Sequence, residues 1–245
     1  MIDPADQHAG FSANDFALFS LHVDRLEAHQ MSSFLRPLAY RHRWIYDTVT
    51  AISSLSVGGV HRLRRLGLEA LEARLNPGDS VLDLCCGSGE AAAPWLAAGF
   101  TVTGLDIAPR ALDLAALRHP GLRRVEGLAE APPFLDDSFA AIQMSVALHE
   151  FPRAEREHVL KSCLRLLRPG GWLVLVDLHP AGPMLKLPQW LFCTLFETDT
   201  ATAMLSDDLP AQLQHLGFTE LGQELLAGQA LQRIIARNPL NPNHE

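Results

Sequence analysis

The chain has 245 residues, 48% of them hydrophobic and 20% charged, a balance that supports a globular core and excludes disordered and fibrous classes. Its 20 Lys and Arg stand against 28 Asp and Glu, a net charge of −8, so no global field draws a phosphate backbone to it and nucleic acid is not an expected partner. The four cysteines, Cys85, Cys86, Cys163 and Cys193, form neither a C-x-x-C pair nor a metal-ligand spacing, so a reduced protein without a metal site is expected.

Residues 1–75 carry apolar positions at helical spacing, such as Phe16, Phe19, Val23 and Leu26, and no strand alternation, which predicts an N-terminal helical cap. The N-terminus has no basic segment leading into an apolar one, and no apolar run approaches the roughly 18 residues of a membrane span. A soluble, cytoplasmic protein is expected, with peripheral contact at a membrane left open. Gly58-Gly59 leads into a helical stretch from His61 to Leu75, stopped by Asn76-Pro77-Gly78. The basic run Arg62 to Arg65 within it reads either as a patch for an anionic surface or as a solvated helix face.

From residue 76 to residue 237 short apolar runs alternate with helical patterns, as in βαβ units with a parallel sheet. Strands are predicted at Ser80 to Leu84, Thr101 to Leu105, Leu122 to Val125, Phe139 to Met144 and Trp172 to Asp177. Helices are predicted at Glu90 to Ala98, Pro109 to Arg118 and Arg153 to Leu167, the last closed by Pro169-Gly170-Gly171. Pro180, Pro183 and Pro188 then interrupt an apolar segment containing Trp190, Leu191, Phe192, Leu195 and Phe196, which reads as a lid. Beyond it a helix near Asp207 to His215 precedes strands at Phe218 to Leu221 and Leu231 to Ala236, and residues 238–245 form a tail.

The first strand ends in a turn of small residues, Cys85-Cys86-Gly87-Ser88-Gly89, that opens a helix. Gly87 and Gly89 allow close approach of a ligand to the backbone, although a tight strand-to-helix turn with no ligand has the same appearance. Asp106 ends the second strand roughly 20 residues further on, where an acid that accepts from both ribose hydroxyls is expected. The alternative for Asp106 is a cap on the helix that begins at Pro109.

With these motifs in this order, residues 78 to 178 resemble the class I S-adenosylmethionine-dependent methyltransferases. Val81 to Gly89 is similar to the family's first motif and Gly104 to Ile107 to its ribose motif. Gly127-Leu-Ala-Glu130 corresponds to the adenine motif, and Leu167 to Trp172 to the turn before the fifth strand. The resemblance implies an α/β, Rossmann-like fold: a seven-stranded, mostly parallel sheet with helices on both faces and an antiparallel last strand. It also implies S-adenosylmethionine as co-substrate, with Asp83 organising the loop around its methionine part and Gly87 and Gly89 permitting close approach. Asp106 would bind ribose, Ile107 would pack on adenine, and Ser145 with Val146 would line the sulfonium side. Cys85 stands in place of the first motif glycine, where packing against the ligand and no thiol chemistry is expected. Leu128 replaces an aspartate that often bonds the adenine amino group, which leaves Ala129 N–H and Glu130 for adenine, Glu130 being equally readable as a solvated acid. A dinucleotide-dependent dehydrogenase fits less well, because the first motif has the methyltransferase form and the chain offers no second catalytic half.

After the fourth strand the chain reads Ser145-Val-Ala-Leu-His-Glu-Phe151 instead of the Asn-Pro-Pro-Tyr type common in nucleic-acid amino methyltransferases, and Ala131-Pro-Pro-Phe134 lies before that strand. A small-molecule acceptor is therefore expected. Arg43 to Gly59, with Tyr46-Asp47 and Ser53 to Ser56, followed by the basic helix, resembles the entry to the ubiquinone and menaquinone biosynthesis C-methyltransferases. That resemblance implies a lipophilic acceptor of the prenylated quinol kind, and the Leu185 to Phe196 segment would cover its tail unless those residues are core. His149 is the first candidate for a base that removes a phenolic proton, ahead of His179 and Asp177, with a structural histidine as the alternative. Two other functions stay open: an O-methyltransferase of a phenolic metabolite, and a non-catalytic binding protein on the same fold.

Overall fold

The computed structural model describes residues 58–196 and 199–240. Seven strands run through them: β1 (Ser80–Leu84), β2 (Thr101–Asp106), β3 (Arg123–Glu126), β4 (Phe139–Ser145), β5 (Leu167–Leu178), β6 (Thr219–Leu226) and β7 (Leu231–Arg237). They form one sheet in the order β3-β2-β1-β4-β5-β7-β6. The first five are parallel, and β7 is antiparallel to both its neighbours. The expected seven-stranded, mostly parallel Rossmann-like sheet is thus the observed one.

The central strands are apolar on both faces because helices cover both. Helices α1 (Val60–Leu71), α2 (Ala93–Ala97) and α3 (Pro109–Arg118) lie on one side, where Leu68, Leu71, Trp95 and Ala115 meet Val81, Val102, Ala141 and Val174. On the other side α4 (Arg153–Leu166) and α7 (Leu209–Leu216) bring Val159, Leu160, Leu166, Leu209 and Leu213 against Leu82, Ile142, Met144 and Leu173. Successive strand residues such as Val81 and Leu82, or Val174 and Leu175, go to opposite cores, as the two-residue period of a strand requires. Between β5 and α7 the chain forms α5 (Lys186–Phe196) and α6 (Asp199–Met204). No helix among the described residues is long and apolar enough to cross a membrane.

Several boundaries differ from expectation. The helical stretch read from His61 to Leu75 is α1 plus a short 3-10 turn at Glu72–Arg74. Because α1 packs into the sheet's own core, this part of the expected cap is a layer of the α/β fold. The helices expected around Phe16 to Leu26, the Tyr46-Asp47 region, the side chains of Leu195 and Phe196, and residues 241–245 of the tail lie outside what is described. β5 starts at Leu167, five residues before the expected Trp172, because Pro169-Gly170-Gly171 forms a bulge inside the strand: Phe139 pairs with Leu167 and Ala141 with Trp172. β6 likewise runs through Gly222, which faces Ile235 of β7 so closely that an added Cβ would lie 3.1 Å from its Cγ1.

The chain leaves β1 to one side for β2 and β3, then returns to the other side for β4. Between β1 and β4 the direction of winding reverses, and in open α/β sheets the crevice outside the carboxyl ends of the strands at such a point is where ligands bind.

Candidate active site

At this reversal Asp83 of β1 lies opposite Gln143 of β4, and both are buried. Gln143 donates from Nε2 to Asp83 Oδ1 (2.9 Å) and to Ala91 O (2.9 Å), while its Oε1 accepts from the Trp95 indole N–H (2.6 Å). Asp83 Oδ2 is buried with no hydrogen-bond partner, as is Ser145 Oγ at the end of β4. Burial pushes the Asp83 carboxyl up to about 7, against the lowering effects of the Gln143 hydrogen bond and the Arg64 charge and with a small raise from Asp106.

The turn after β1 places Cys85, Gly87 and Gly89 at φ of 60°, 52° and 79°. Gly89 has no room for a side chain, since a Cβ would lie 2.9 Å from His119 Cδ2 and 3.0 Å from Leu122 Cδ2. A Cβ on Gly87 would meet nothing within 4 Å, so that glycine leaves open space above the turn. Cys85, standing where the family's pattern has glycine, holds a backbone conformation that costs a residue with a Cβ roughly 1–2 kcal/mol. Burial pushes the Cys85 thiol up, with Asp106 and Asp83 adding to it, and burial does the same to Cys86; neither is a ready nucleophile at neutral pH.

Asp106 joins the turn to the next helix. Its Oδ2 accepts from Gly87 N–H (2.7 Å) and its Oδ1 from Ala108 N–H (2.9 Å). The helix that begins at Pro109 has Ala108 as its N-cap residue and no side-chain cap, so Asp106 does not cap it; it turns the chain at Ala108 and holds the glycine turn. A cleft of about 190 Å³ opens beside it, lined by five expected residues, Cys85, Asp106, Ile107, Ala129 and Glu130, together with Glu150, Phe151 and Glu155. The structure brings those five expected residues together in this cleft, whose walls also hold Leu128. Ile107 is 41% exposed at its mouth. Val146 does not line this cleft; at φ 55° it packs with Leu63, Leu66, Val176 and Leu231 under α1.

His149 lies in a 3-10 turn, Leu148–Glu150, and is 2% exposed. Asp177, at the end of β5, organises that turn: its Oδ2 accepts from Leu148 N–H (2.7 Å) and His149 N–H (3.3 Å), and its Oδ1 lies 2.6 Å from His149 Nδ1 and accepts from Leu178 N–H (2.7 Å). Backbone amides can only donate, so both Asp177 oxygens act as acceptors towards them, an arrangement that suits a proton on His149 Nδ1 directed at Oδ1. Nε2 lies 3.8 Å from Glu150 Oε1, a group on the cleft wall. His179 is turned elsewhere, its Nδ1 2.8 Å from Gln229 O.

Gln189 of α5 fastens the segment after β5, accepting from Ala181 N–H (2.8 Å) and donating to His179 O (2.7 Å). Beyond this clasp Met184, Leu187, Trp190 and Leu191 are exposed. Thr200 of α6 donates to Glu150 O (3.3 Å), which ties the segment to the His149 turn.

Residues 81–171 match the family model described as "Methyltransferase domain". Over 208 residues, 84% of this chain and 97% of the relative, the chain is 41% identical to the Synechocystis sp. protein described as "Uncharacterized methyltransferase sll0829". The chain belongs to the class I S-adenosylmethionine-dependent methyltransferases. This methyltransferase is also 36% identical over 140 residues to the demethylmenaquinone methyltransferase of Renibacterium salmoninarum; the match covers 56% of each chain, so it spans about half of that relative's length. Among solved structures, the 1,6-didemethyltoxoflavin-N1-methyltransferase of Burkholderia thailandensis superimposes with a TM-score of 0.58 over 95% of this chain and 93% of that one, at 19% identity, a likeness of fold. The co-substrate of this methyltransferase is S-adenosylmethionine. Two groups beside the predicted residues were not singled out from sequence: Gln143, and Arg64 of α1, whose Nε is buried without a hydrogen-bond partner.

Proposed function

We propose that this methyltransferase holds its methyl donor across the carboxyl ends of β1, β2 and β4 and transfers the methyl group to carbon of a small lipophilic acceptor, of the prenylated quinol type. The donor fits the residues present. Asp106 keeps lone pairs for ribose hydroxyls after accepting its two amide bonds, Ile107 offers an exposed apolar surface to adenine, and Ala129 and Glu130 border the same cleft. The partnerless Asp83 Oδ2 and Ser145 Oγ are buried acceptor sites that a polar ligand end would satisfy. When bound, S-adenosylmethionine supplies an activated methyl group on a sulfonium, so no covalent enzyme intermediate is needed.

The chain's own task is to orient the acceptor, exclude water and take up one proton. His149, with its Nδ1 proton held by Asp177, is the candidate base for a quinol hydroxyl. The resulting phenolate places density on the ring carbon, which gains the methyl group as the methyl–sulfur bond breaks with its electron pair left on sulfur; the ring C–H proton is then lost to solvent and His149 returns its proton to the phenolic oxygen.

The observation that carries the acceptor class is the apolar face of α5, where Leu187, Trp190 and Leu191 are 71%, 61% and 50% exposed beside the clasp at the end of β5. A surface of this kind is suited to covering an apolar tail. Similarity to a demethylmenaquinone methyltransferase supports the same acceptor class.

The test offers S-adenosylmethionine with a prenylated quinol, the same quinol without its tail, and a catechol. Transfer to the prenylated ring, with loss of an aromatic proton signal in the product, is expected. A methyl ether as product would replace carbon with oxygen as the acceptor atom. Equal turnover of the tail-less quinol would sink the lipophilic reading.

A further inference from the structure

Arg156, near the start of α4, is 1% exposed. Its Nη2 donates to Asp207 Oδ2, while Nε and Nη1 are enclosed with no hydrogen-bond partner among the described residues. Burial opposes its charge, and the carboxylates of Asp207 and Asp177 favour it. A buried ion pair that leaves donors unsatisfied adds little to stability, and apolar groups of similar volume often hold a fold as well or better. What such a pair supplies is a fixed position for the elements it joins.

Here those elements are α4 and the end of α6. Asp207 N–H donates to Met204 O (2.9 Å), so the Asp207 side chain stands in the turn that closes α6, and Asp208 beside it caps α7 by accepting from Ala211 N–H (3.0 Å). Arg153, 3.8 Å from Asp207 and largely exposed, is a weaker second partner. At its other end α6 is fastened by Thr200, which donates to Glu150 O (3.3 Å). Between these ties Ala201 and Met204 are buried, Met204 in one core with Leu148 and Val159. Helix α6 therefore lies against the 3-10 turn Leu148–Glu150 that carries His149. With six residues it is too short to persist without such support.

We infer that Arg156 is a positioning residue for methyl transfer: by gripping Asp207 it holds α6 against the His149 turn, and so fixes that turn relative to the acceptor. The consequence for the reaction rests on the base and the acceptor class proposed above, whereas the grip itself does not.

The test is the double variant Arg156→Met with Asp207→Leu, which replaces the pair with apolar groups and leaves no buried charge unpaired. Every amide from Leu148 to Phe151, and from Leu205 to Asp207, is hydrogen-bonded, so hydrogen exchange in the ligand-free protein reads both segments. Both should exchange about tenfold faster or more in the double variant, with β1, β4 and β5 protected as in the wild type. Affinity for S-adenosylhomocysteine, measured by calorimetry, should be unchanged, and kcat with S-adenosylmethionine and a prenylated quinol should fall by about ten- to a hundredfold, the scale of a misplaced catalytic group. Arg156→Lys, which keeps the charge and one bond to Asp207, should recover part of each loss. Wild-type exchange in either segment overturns the inference. Faster exchange throughout the sheet, with weaker S-adenosylhomocysteine binding, would make the pair a general brace of the fold and overturn it too, as would a wild-type kcat despite local loosening. If the wild type itself leaves the quinol unmethylated, the acceptor reading fails, and exchange of the two segments still decides whether Arg156 holds the His149 turn.

Discussion

Asp106 spends two of its lone pairs inside the protein, on the amides of Gly87 and Ala108, before any ligand arrives. Asp106→Ala is therefore expected to cost about 1–2 kcal/mol of stability in urea unfolding and, in addition, to abolish most of the affinity for S-adenosylhomocysteine; a variant that binds normally would move the ribose site elsewhere. Asp83 shows the opposite economy, being buried and short of partners. Its carboxyl is raised to about 7 from an unfolded value of 3.8, so the folded protein holds a proton there that the unfolded chain has released. The associated stability is fully present below about pH 4 and lost as pH rises toward 7. The melting temperature of the ligand-free protein should thus decline between pH 5 and 8 more steeply in the wild type than in Asp83→Asn, in which Arg64, Gln143 and Asp106 are unchanged; parallel profiles would mean that Asp83 is ionised in the fold. At the acceptor side, His149→Gln is expected to lower kcat by about a hundredfold, within the range of general-base effects, with S-adenosylhomocysteine affinity retained. Full turnover would leave His149 as a brace for its turn. Asp83, Gly87, Gly89 and Asp106 are legible in the sequence because a strand end, a glycine turn and an acid on the next strand have fixed spacing. Arg64 and Gln143 are not, since an arginine among arginines reads as solvated and a lone glutamine in an apolar strand carries no sign of which face it occupies.

Helix α1 is positioned by a glycine, and two effects of opposite sign meet there. Helix propensity alone gives Gly67→Ala a gain of about 1 kcal/mol. The new Cβ would displace Gln143 and break buried bonds to Trp95 and Asp83, each left-over polar group costing about 1–3 kcal/mol. Net destabilisation of about 2 kcal/mol is expected by chemical unfolding, and a neutral or stabilised variant would show that α1 can back away from the sheet. The order of strands and helices was readable because apolar runs and helical periods alternate cleanly. The start of β5 was not, since Pro169-Gly170-Gly171 has the composition of a helix stop. What keeps it within a strand is remote: Asn238 accepts from Gly170 N–H (3.0 Å) and donates to Gly171 O (2.8 Å), and its side chain donates to Leu167 O (2.6 Å). No local pattern around residue 170 encodes a partner that far along the chain.

For the molecule as a whole, a ligand that spans β1, β2 and β4 stabilises elements contributed by separate βα units. S-adenosylhomocysteine at about 100 times its dissociation constant should add about 2.7 kcal/mol, a rise in melting temperature of roughly 5–10 °C for a domain of this size. No shift in well-folded protein would contradict the donor site. The sheet order carries one more consequence, for synthesis. β6 precedes β7 in the chain but touches the sheet only through it, because β7 lies between β5 and β6. As the polypeptide leaves the ribosome, the edge of β5 therefore stays bare, and β6 has no place to dock, until residues 231–237 emerge. A nascent chain stalled before them presents an open, apolar strand edge to its neighbours on the polysome, which makes the final strand the step at which a chaperone would matter most.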